Sequence, residues 1–259
     1  MRIKLEINYD KPGAELAKIR IEKHKDLVEI VPDNPEIVIV MGGDGAMLHA
    51  ARNYVDAGIP LLGINLGGLG FLTDISEDRI DEAIKLLSEG RYGIENRLMI
   101  RAQTVSGELK GLNDIVVYTR TPGRAVELSA WVDDEYLCRF IADGLIIATP
   151  TGSTAYSLAC GGPIVFPATE NLLITPISAH TLSVRPIIIS SEKRIRVTAG
   201  KKGKGAWIIA DGQEKLALDI NEEVVLTRYP KTVRLVKLQG SKFTDTLRTK
   251  MRWGGRENA

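Results

Sequence analysis

The stretch IVIVMGGDG, residues 37 to 45, joins an apolar, β-branched run to a turn that contains three glycines and one aspartate. An unbroken apolar run of this length is typical of a parallel strand buried on both faces. A helix is expected directly afterwards, from about Ala46 to Ala57. The turn would then present free backbone N–H groups and the positive end of the helix dipole, which together bind phosphate. The stretch predicts an α/β fold with an anion site.

Asp44 places a carboxylate inside this turn. Beside a bound phosphate, such a group can accept a proton from a hydroxyl nucleophile or orient a metal ion. The alternative is that the four residues form only a tight turn, since Asp-Gly is a common turn pair.

The segments on either side extend the α/β pattern. We expect strands at 3–7 and 60–64 and helices at 13–24 and about 78–88. A second glycine-rich loop, GINLGGLGFL at 63–72, follows the second of these strands. Because loops that leave the carboxyl ends of neighbouring parallel strands converge, we expect both glycine loops to line one crevice.

Phe71, in the second loop, either stacks on a base or fills the core. Neither glycine loop fits GxGxxG after the first strand, and neither fits GxxxxGK[ST]. The ordinary Rossmann and Walker nucleotide sites are therefore disfavoured.

After Tyr92 the pattern changes to short apolar runs separated by turn residues, among them DIVVYT, VELSAWV and GLIIAT. Closely spaced strands of this kind are typical of a β-sandwich. We therefore expect a Rossmann-like α/β domain at 1–96, joined by a C-terminal tail at 240–259, and a β-sandwich-like domain at 97–239. The tail contains a candidate helix, Lys242 to Trp253.

Bulk composition excludes several function classes. Lys and Arg total 34 and Asp and Glu total 33, so no excess positive charge marks a nucleic-acid or membrane-surface binder. No apolar run reaches the roughly 18 residues that span a bilayer, and the first residues lack the apolar stretch of a signal peptide. We expect a cytoplasmic protein with no nucleic-acid or membrane partner. Cys138 and Cys160 are too few for a disulfide framework and are expected to be buried thiols.

A third motif, DGLIIATPTGSTAYS at 143–157, ends an apolar strand in a run of hydroxyl side chains. Such a run can hold sugar hydroxyls or a carboxamide without adding net charge. The alternative is a capped helix with Ser153 or Thr154 as its N-cap.

The order and spacing of these segments resemble those of the NAD kinases, from residue 37 to about 213. The resemblance rests on GGDG, GINLGGLGFLT, Asn113-Asp114, DGLIIATPTGSTAYSLACGGP, HTLSVRP and Asp211-Gly212-Gln213. GGDG alone is also similar to turns in diacylglycerol kinases and phosphofructokinases. Ala46 departs from these families, which usually place Thr there, so a hydroxyl contact to the phosphate donor is missing.

The resemblance implies roles for the residues that match the family's motifs. Asp44 would accept the proton, and Gly45 would give backbone contacts to the nucleotide. Asn113 and Asp114 would bind the ribose hydroxyls. Further implied contacts with the dinucleotide come from His49, Phe71, Arg124, Ile141, Asp143, Thr154, Ala155, Tyr156, Ser157, Leu158, Ala159 and Gln213. The residues alone also allow purely structural roles. The Asn-Asp pair could form a turn, and Gln213 could belong to a hairpin turn. His49 could be a structural histidine on its helix, and Arg124 could be a solvated loop residue.

The implied reaction transfers the γ-phosphoryl group of ATP, or a phosphoryl group of polyphosphate, to the 2′-hydroxyl of the adenosine ribose of NAD. ATP and a divalent cation, expected to be Mg²⁺, would lie against GGDG. The resemblance also implies a homodimer or homotetramer.

Two other functions remain open at this point. One is a non-catalytic NAD(H)-sensing module, and the other is a lipid or sugar kinase that shares only GGDG. The carboxylate in the glycine turn argues against the first, and the hydroxyl-rich segment at 149–157 argues against the second.

Overall fold

The computed structural model describes residues 1–68, 70–73, 75–121, 123–181, 183–202, 204–238 and 242–253. The helices, in chain order, are α1 (Ala14–Glu22), α2 (Asp44–Tyr54), α3 (Ile80–Ser88), α4 (Tyr156–Ala159) and α5 (Phe243–Met251). The strands are β1 (Arg2–Ile7), β2 (Glu29–Ile30), β3 (Ile37–Gly42), β4 (Leu61–Asn65), β5 (Ile75–Ser76), β6 (Tyr92–Arg97), β7 (Ile100–Thr104), β8 (Gly107–Gly111), β9 (Asp114–Thr119), β10 (Val126–Val132), β11 (Glu135–Ala142), β12 (Gly144–Ala148), β13 (Asn171–Ile177), β14 (Ile187–Ser190), β15 (Ile195–Ala199), β16 (Ala206–Ala210), β17 (Glu214–Leu218), β18 (Glu223–Arg228) and β19 (Val233–Leu238). Single 3₁₀ turns precede α3 and α4, at Glu77–Arg79 and Thr151–Thr154.

The chain divides into two compact units, Met1–Asn96 with Val233–Ala259 and Arg97–Thr232. Strand β19, which we expected at the end of the second domain, belongs to the first unit. The reason is that β19 pairs in parallel with β4, with Leu235 opposite Leu61.

Some residues in the quoted segments and in the expected tail lie outside the described part of the chain. They are Leu69, Leu182, residues 240 and 241, and residues 254–259.

The first unit is an α/β sheet in the order β2-β1-β3-β4-β19-β6, with β5 against β4. Strands β1, β2, β3, β4 and β5 pair in parallel. All six residues of β3 are buried, as its unbroken apolar run predicts. Helices α1 and α3 pack their apolar residues into the same core. The α/β fold expected for this part of the chain is confirmed.

Helix α2 begins at Asp44, two residues before the expected start. Gly43 is its N-cap in an extended conformation, with no side-chain cap. An aspartate in the first helical turn lies at the positive end of the dipole, which favours this earlier start. Asp44 and Gly45 therefore belong to the first turn of a helix that leaves the carboxyl end of β3.

Helix α5 places Phe243, Leu247 and Lys250 on one face, since residues four and seven positions apart align on a helix. Leu247 is buried, and the ring of Phe243 lies 6.4 Å from the ring of Phe71. These contacts pack α5 on the first unit.

The second unit consists of two antiparallel sheets, in the orders β11-β10-β15-β18-β7-β8 and β14-β13-β12-β9-β16-β17. Alternate residues of each strand form one shared core: Ile115 and Val117 of β9 join Leu128 of β10 within it. The β-sandwich architecture expected for this part of the chain is confirmed.

The second sheet is apolar on its other face as well, where Val116, Ile146 and Ala148 form a separate cluster with Val165. This face carries the hydroxyl-rich segment. The segment forms a 3₁₀ turn and then the single turn α4, neither of which has a side-chain cap. The alternative of a helix capped by Ser153 or Thr154 is therefore wrong.

Ser153 serves a different purpose from capping. Its fully buried hydroxyl accepts a hydrogen bond from the Val165 N–H at 3.0 Å and lies 2.7 Å from the Pro150 carbonyl oxygen. Ser153 therefore ties the hydroxyl-rich segment to the backbone at Val165, twelve residues further along the chain. Among the described helices, none combines the length and the hydropathy needed to cross a bilayer.

We expect Ser153→Ala to lower the free energy of unfolding by about 1–3 kcal/mol, because the buried Val165 N–H loses its acceptor. Thr154→Ala is the matched control, since the Thr154 hydroxyl makes only a long hydrogen bond of 3.4 Å to the Thr151 carbonyl. Urea denaturation of both variants measures the difference. Equal midpoints would contradict the role given to Ser153.

Candidate functional site

The Asp44 carboxylate is held by the backbone of the second glycine loop. Its Oδ2 accepts the Phe71 N–H at 2.9 Å, and its Oδ1 accepts the Leu72 N–H at 3.0 Å. The Thr73 hydroxyl lies 3.5 Å from Oδ1. Each oxygen keeps lone-pair capacity for another donor. The two glycine loops thus meet at one carboxylate, which is 33% exposed.

Gly70 is required for this approach. A Cβ at position 70 would lie 2.1 Å from Asp44 Oδ1 and 2.2 Å from Thr73 Oγ1, well inside contact distance. Without a side chain at this position, the loop backbone can reach the carboxylate.

Other residues expected at this end of the first unit have different surroundings. Gly45 is exposed in the first turn of α2. His49 is exposed further along the helix, with its Nε2 3.0 Å from the Asn53 amide nitrogen. The half-buried ring of Phe71 contacts Phe243, and the Lys250 ammonium lies 4.4 Å from its centroid.

The second unit contains a cavity of about 360 Å³ on the outer face of the β9-β12-β13 sheet. A volume of this size is in the range of small-molecule sites. Its lining residues are Asn113, Asp114, Val116, Tyr118, Ala155, Tyr156, Ile209, Asp211 and Gly212. Four of them, Asn113, Asp114, Ala155 and Tyr156, were expected from the sequence. The lining is apolar on the strands and polar at the 113–114 turn.

Asp114 is the unusual group of this cavity. It is 4% exposed, and burial, followed by the negative charge of Asp211, raises the pKa of its carboxyl to about 7 from an ordinary value of 3.8. A native pKa above the unfolded one means that the native state binds this proton more tightly. The contribution of protonated Asp114 to the free energy of unfolding is therefore complete below about pH 4. It is lost as the pH rises through about 7.

Asp211 fixes the position of the Asn113-Asp114 turn. Its carboxylate accepts hydrogen bonds from the N–H groups of three consecutive residues, Leu112 at 3.0 Å, Asn113 at 2.8 Å and Asp114 at 3.1 Å. Asp211 and Gly212 both have positive φ, 51° and 68°, and are the central residues of the turn in which the Gln213 N–H donates to the Ala210 carbonyl at 2.9 Å.

Five lining residues were not expected: Val116, Tyr118, Ile209, Asp211 and Gly212. Asp211-Gly212 carried a recognisable hairpin signal, but a hairpin signal does not show that a side chain contacts another loop. Val116, Tyr118 and Ile209 stand on strands that are apolar on both faces. Alternation along such strands does not distinguish the core face from the cavity face.

The remaining expected residues do not line this cavity. Ser157 is fully buried and its hydroxyl pairs with that of Thr175 at 2.8 Å, so it packs α4 on β13. Thr154, Leu158 and Ala159 lie in the same segment. Arg124 and Gln213 are exposed, and Ile141 and Asp143 are half-buried around the end of β11.

Within the described ranges, no group of three or more His, Cys, Asp or Glu side chains is placed to hold a metal ion. At the glycine turn the described chain supplies one carboxylate, Asp44. That number suits a Mg²⁺ ion held mainly by substrate phosphates and water, which needs only one or two carboxylates.

Comparison with protein-family models matches both units. Residues 5–92 match the ATP-NAD kinase N-terminal domain, and residues 112–238 match the ATP-NAD kinase C-terminal domain.

Curated relatives agree over most of the chain. An NAD kinase of Caldanaerobacter subterraneus subsp. tengcongensis is 38% identical over 240 residues, covering 91% of this chain and 85% of the relative. An NAD kinase of Moorella thermoacetica is 42% identical over 224 residues, covering 85% and 72%.

Two solved structures have the same fold. The yeast NADH kinase complexed with NADH aligns with a TM-score of 0.90 at 21% identity, covering 100% of this chain and 90% of that one. An NAD kinase from Archaeoglobus fulgidus in complex with ATP aligns with a TM-score of 0.80 at 26% identity, covering 98% and 100%. The resemblance seen in the sequence is confirmed, and the chain belongs to the NAD kinase family.

Proposed function

We propose that this protein transfers the γ-phosphoryl group of ATP to the 2′-hydroxyl of the adenosine ribose of NAD and releases NADP and ADP. Membership of the NAD kinase family makes it a phosphotransferase. The assignment of this chemistry rests on Asp44. Its carboxylate, in the first turn of α2, is held by two backbone N–H groups of the second glycine loop.

In this reaction the 2′-oxygen forms a bond to the γ-phosphorus, and the bond from that phosphorus to the β–γ bridging oxygen breaks. Its electron pair leaves with ADP. The hydroxyl proton passes to Asp44, whose fixed orientation allows it to act as the general base. Phosphoryl transfer depends mainly on positioning and charge stabilisation, so a single oriented carboxylate is enough for the proton.

We assign the phosphoryl donor to the GGDG turn. Support comes from the position of the turn, which opens helix α2 directly after β3, where the positive end of the helix dipole favours a phosphate. A divalent cation, Mg²⁺ by this proposal, would enter with the phosphates and be held mainly by them and by water. When bound, the cation neutralises charge that develops on the phosphoryl oxygens.

We assign the adenosine part of NAD to the cavity of the second unit. Asn113 and Asp114 offer hydrogen-bond partners for ribose hydroxyls, and Tyr118 and Tyr156 offer aromatic faces for the base. His49, Arg124, Ile141, Asp143, Thr154 and Gln213 remain candidates for the other contacts with the dinucleotide.

We also propose that the protein is a homodimer or homotetramer in the cytoplasm. Two strands at sheet ends, β11 and β14, expose the apolar side chains of Tyr136, Leu137 and Ile188, and such edges favour pairing between copies. Cys138 and Cys160 are both free thiols, which is usual in a reducing compartment, although they are half-buried rather than buried as the sequence predicted. Sedimentation velocity measures the assembly, and a monomer at micromolar concentration would contradict it.

Asp44→Asn is expected to lower turnover by about 10²- to 10⁴-fold, the usual contribution of a general base. NAD affinity should barely change, because the amide can still accept a hydrogen bond from the neutral hydroxyl. Enzymatic assay of NADP and calorimetry with NAD measure the two quantities.

Two controls belong to this variant. In Asp44→Asn, an amide NH₂ replaces one carboxylate oxygen and faces a loop N–H, so one hydrogen bond is lost. The melting temperature is therefore measured as well, to detect any loss of stability. Turnover is also followed against Mg²⁺ concentration, because recovery at high Mg²⁺ would reassign Asp44 to the cation. Wild-type protein that binds NAD but forms no NADP would instead identify a sensing module.

NAD affinity is expected to rise with pH through about 7, because only the ionised Asp114 carboxylate accepts hydrogen bonds from both ribose hydroxyls. With a pKa of about 7, affinity at pH 6 should be about 10-fold below its plateau. Asp114→Asn should bind NAD more weakly and show no such slope, with ATP binding unchanged. Calorimetry between pH 6 and 8 tests this, and a level wild-type profile would remove Asp114 from the ribose site.

A further inference from the structure

Lys250, on the last turn of α5, lies beside the carboxylate to which we assign the proton transfer. Its Nζ is 3.8 Å from Asp44 Oδ2 and 4.4 Å from the centroid of the Phe71 ring. The Lys250 side chain is 25% exposed and that of Asp44 33%. A residue more than 200 positions away in sequence thus supplies a positive charge at the GGDG turn.

The position of this ammonium is set by apolar packing. Phe243 and Leu247 share the helix face with Lys250, Leu247 is buried, and Phe243 packs on Phe71. Phe71 in turn donates its N–H to Asp44. Phe71 therefore positions both groups: its ring contacts the Lys250 ammonium, and its N–H orients the Asp44 carboxylate.

The ammonium retains its hydrogen-bonding capacity. Among the residues that the structure describes, it contacts only Asp44 and the Phe71 ring, and 3.8 Å exceeds the length of a hydrogen bond. Three N–H donors therefore remain available to a ligand. A partly exposed ion pair of this kind adds little to stability, so holding α5 in place is not a sufficient explanation for it.

The glycine turn lacks the lysine that other phosphate-binding glycine loops carry in their own sequence, since no GxxxxGK[ST] motif is present. Phosphoryl transfer nevertheless needs positive charge beside the equatorial oxygens of the transferred group. An ammonium within 4 Å of the general base meets this need from another part of the chain.

We propose that Lys250 is a catalytic residue that donates hydrogen bonds to the terminal phosphoryl group of the donor. The proposal rests on the phosphotransfer function given above. With the donor bound, the ammonium shares its charge between the phosphoryl oxygens and Asp44. It stabilises the negative charge there and moves no proton.

The test compares Lys250→Met and Lys250→Arg with Arg248→Met. Arg248 is a matched control because it is a cation on the same helix, two residues before Lys250. It pairs with Asp245 and does not share the helix face of Lys250. Calorimetry with ATP and with inorganic triphosphate, in the absence of NAD, measures donor binding. Steady-state kinetics with varied ATP, NAD binding and melting temperature complete the set.

Lys250→Met is expected to weaken ATP and triphosphate binding about 10- to 100-fold, the range of a charge-assisted hydrogen bond, and to lower kcat as well. NAD affinity and melting temperature should stay at wild-type values. Lys250→Arg should recover most of the loss, and Arg248→Met should behave as wild type.

Three results would overturn the proposal. The first is wild-type donor affinity and kcat in Lys250→Met. The second is an equal loss in Arg248→Met, which would reveal only a general electrostatic effect. The third is a loss of NAD affinity and melting temperature in parallel with donor affinity, which would make Lys250 an anchor for α5. An active wild type in these cases keeps the phosphotransfer function intact, whereas a wild type that forms no NADP refutes that function itself.

Discussion

The pair of hydrogen bonds from the Phe71 and Leu72 backbone to Asp44 is the constraint on which the first unit's site depends. A carboxylate at the start of a helix would otherwise be free to rotate among several rotamers. Because its partners are main-chain N–H groups, its orientation depends on the path of the loop. That path requires the absence of a side chain at Gly70, where a Cβ would collide with Asp44. A glycine therefore determines the orientation of the Asp44 carboxylate.

The second unit also uses backbone N–H groups to hold a carboxylate, but the outcome is different. Asp211 takes three of them, and this places its negative charge next to Asp114. Asp114 is left buried without comparable compensation, and the pKa of its carboxyl is raised to about 7. Asp211 thus has a structural role, whereas the Asp114 carboxyl changes charge near neutral pH. The ribose binding proposed for this cavity would consequently be linked to proton release.

The features that the sequence could predict are local or periodic. The unbroken run of β3, the turn after it and the alternating strands of the second unit identified the α/β and β-sandwich architectures, and the long 143–163 motif identified the family. Asn113, Asp114, Ala155 and Tyr156, which that resemblance predicted as dinucleotide contacts, all line the cavity of the second unit.

The features that could not be predicted depend on long-range contacts or on subtle local geometry. Asp211 contacts the 112–114 turn, about a hundred residues earlier in the sequence. Lys250 contacts Asp44, more than 200 residues earlier. The start of α2 at Asp44 was missed because an Asp-Gly pair reads equally well as a turn. Strand β19 looked like one more strand of the sandwich, since a short apolar run carries no sign of the sheet it will join.

The place of β19 in the first sheet bears on how the protein is made. The sheet order puts β19 between β4 and β6, so two strands that are translated early are joined by one that is translated only after residues 97–232. Residues 97–232 form a continuous unit and can fold as they leave the ribosome, while the first unit must wait with an incomplete sheet. The turn of Asp44 gains its neighbouring helix α5 later still. A nascent chain would thus build its sandwich first, and the glycine turn would meet its lysine only after every strand of both units has been translated.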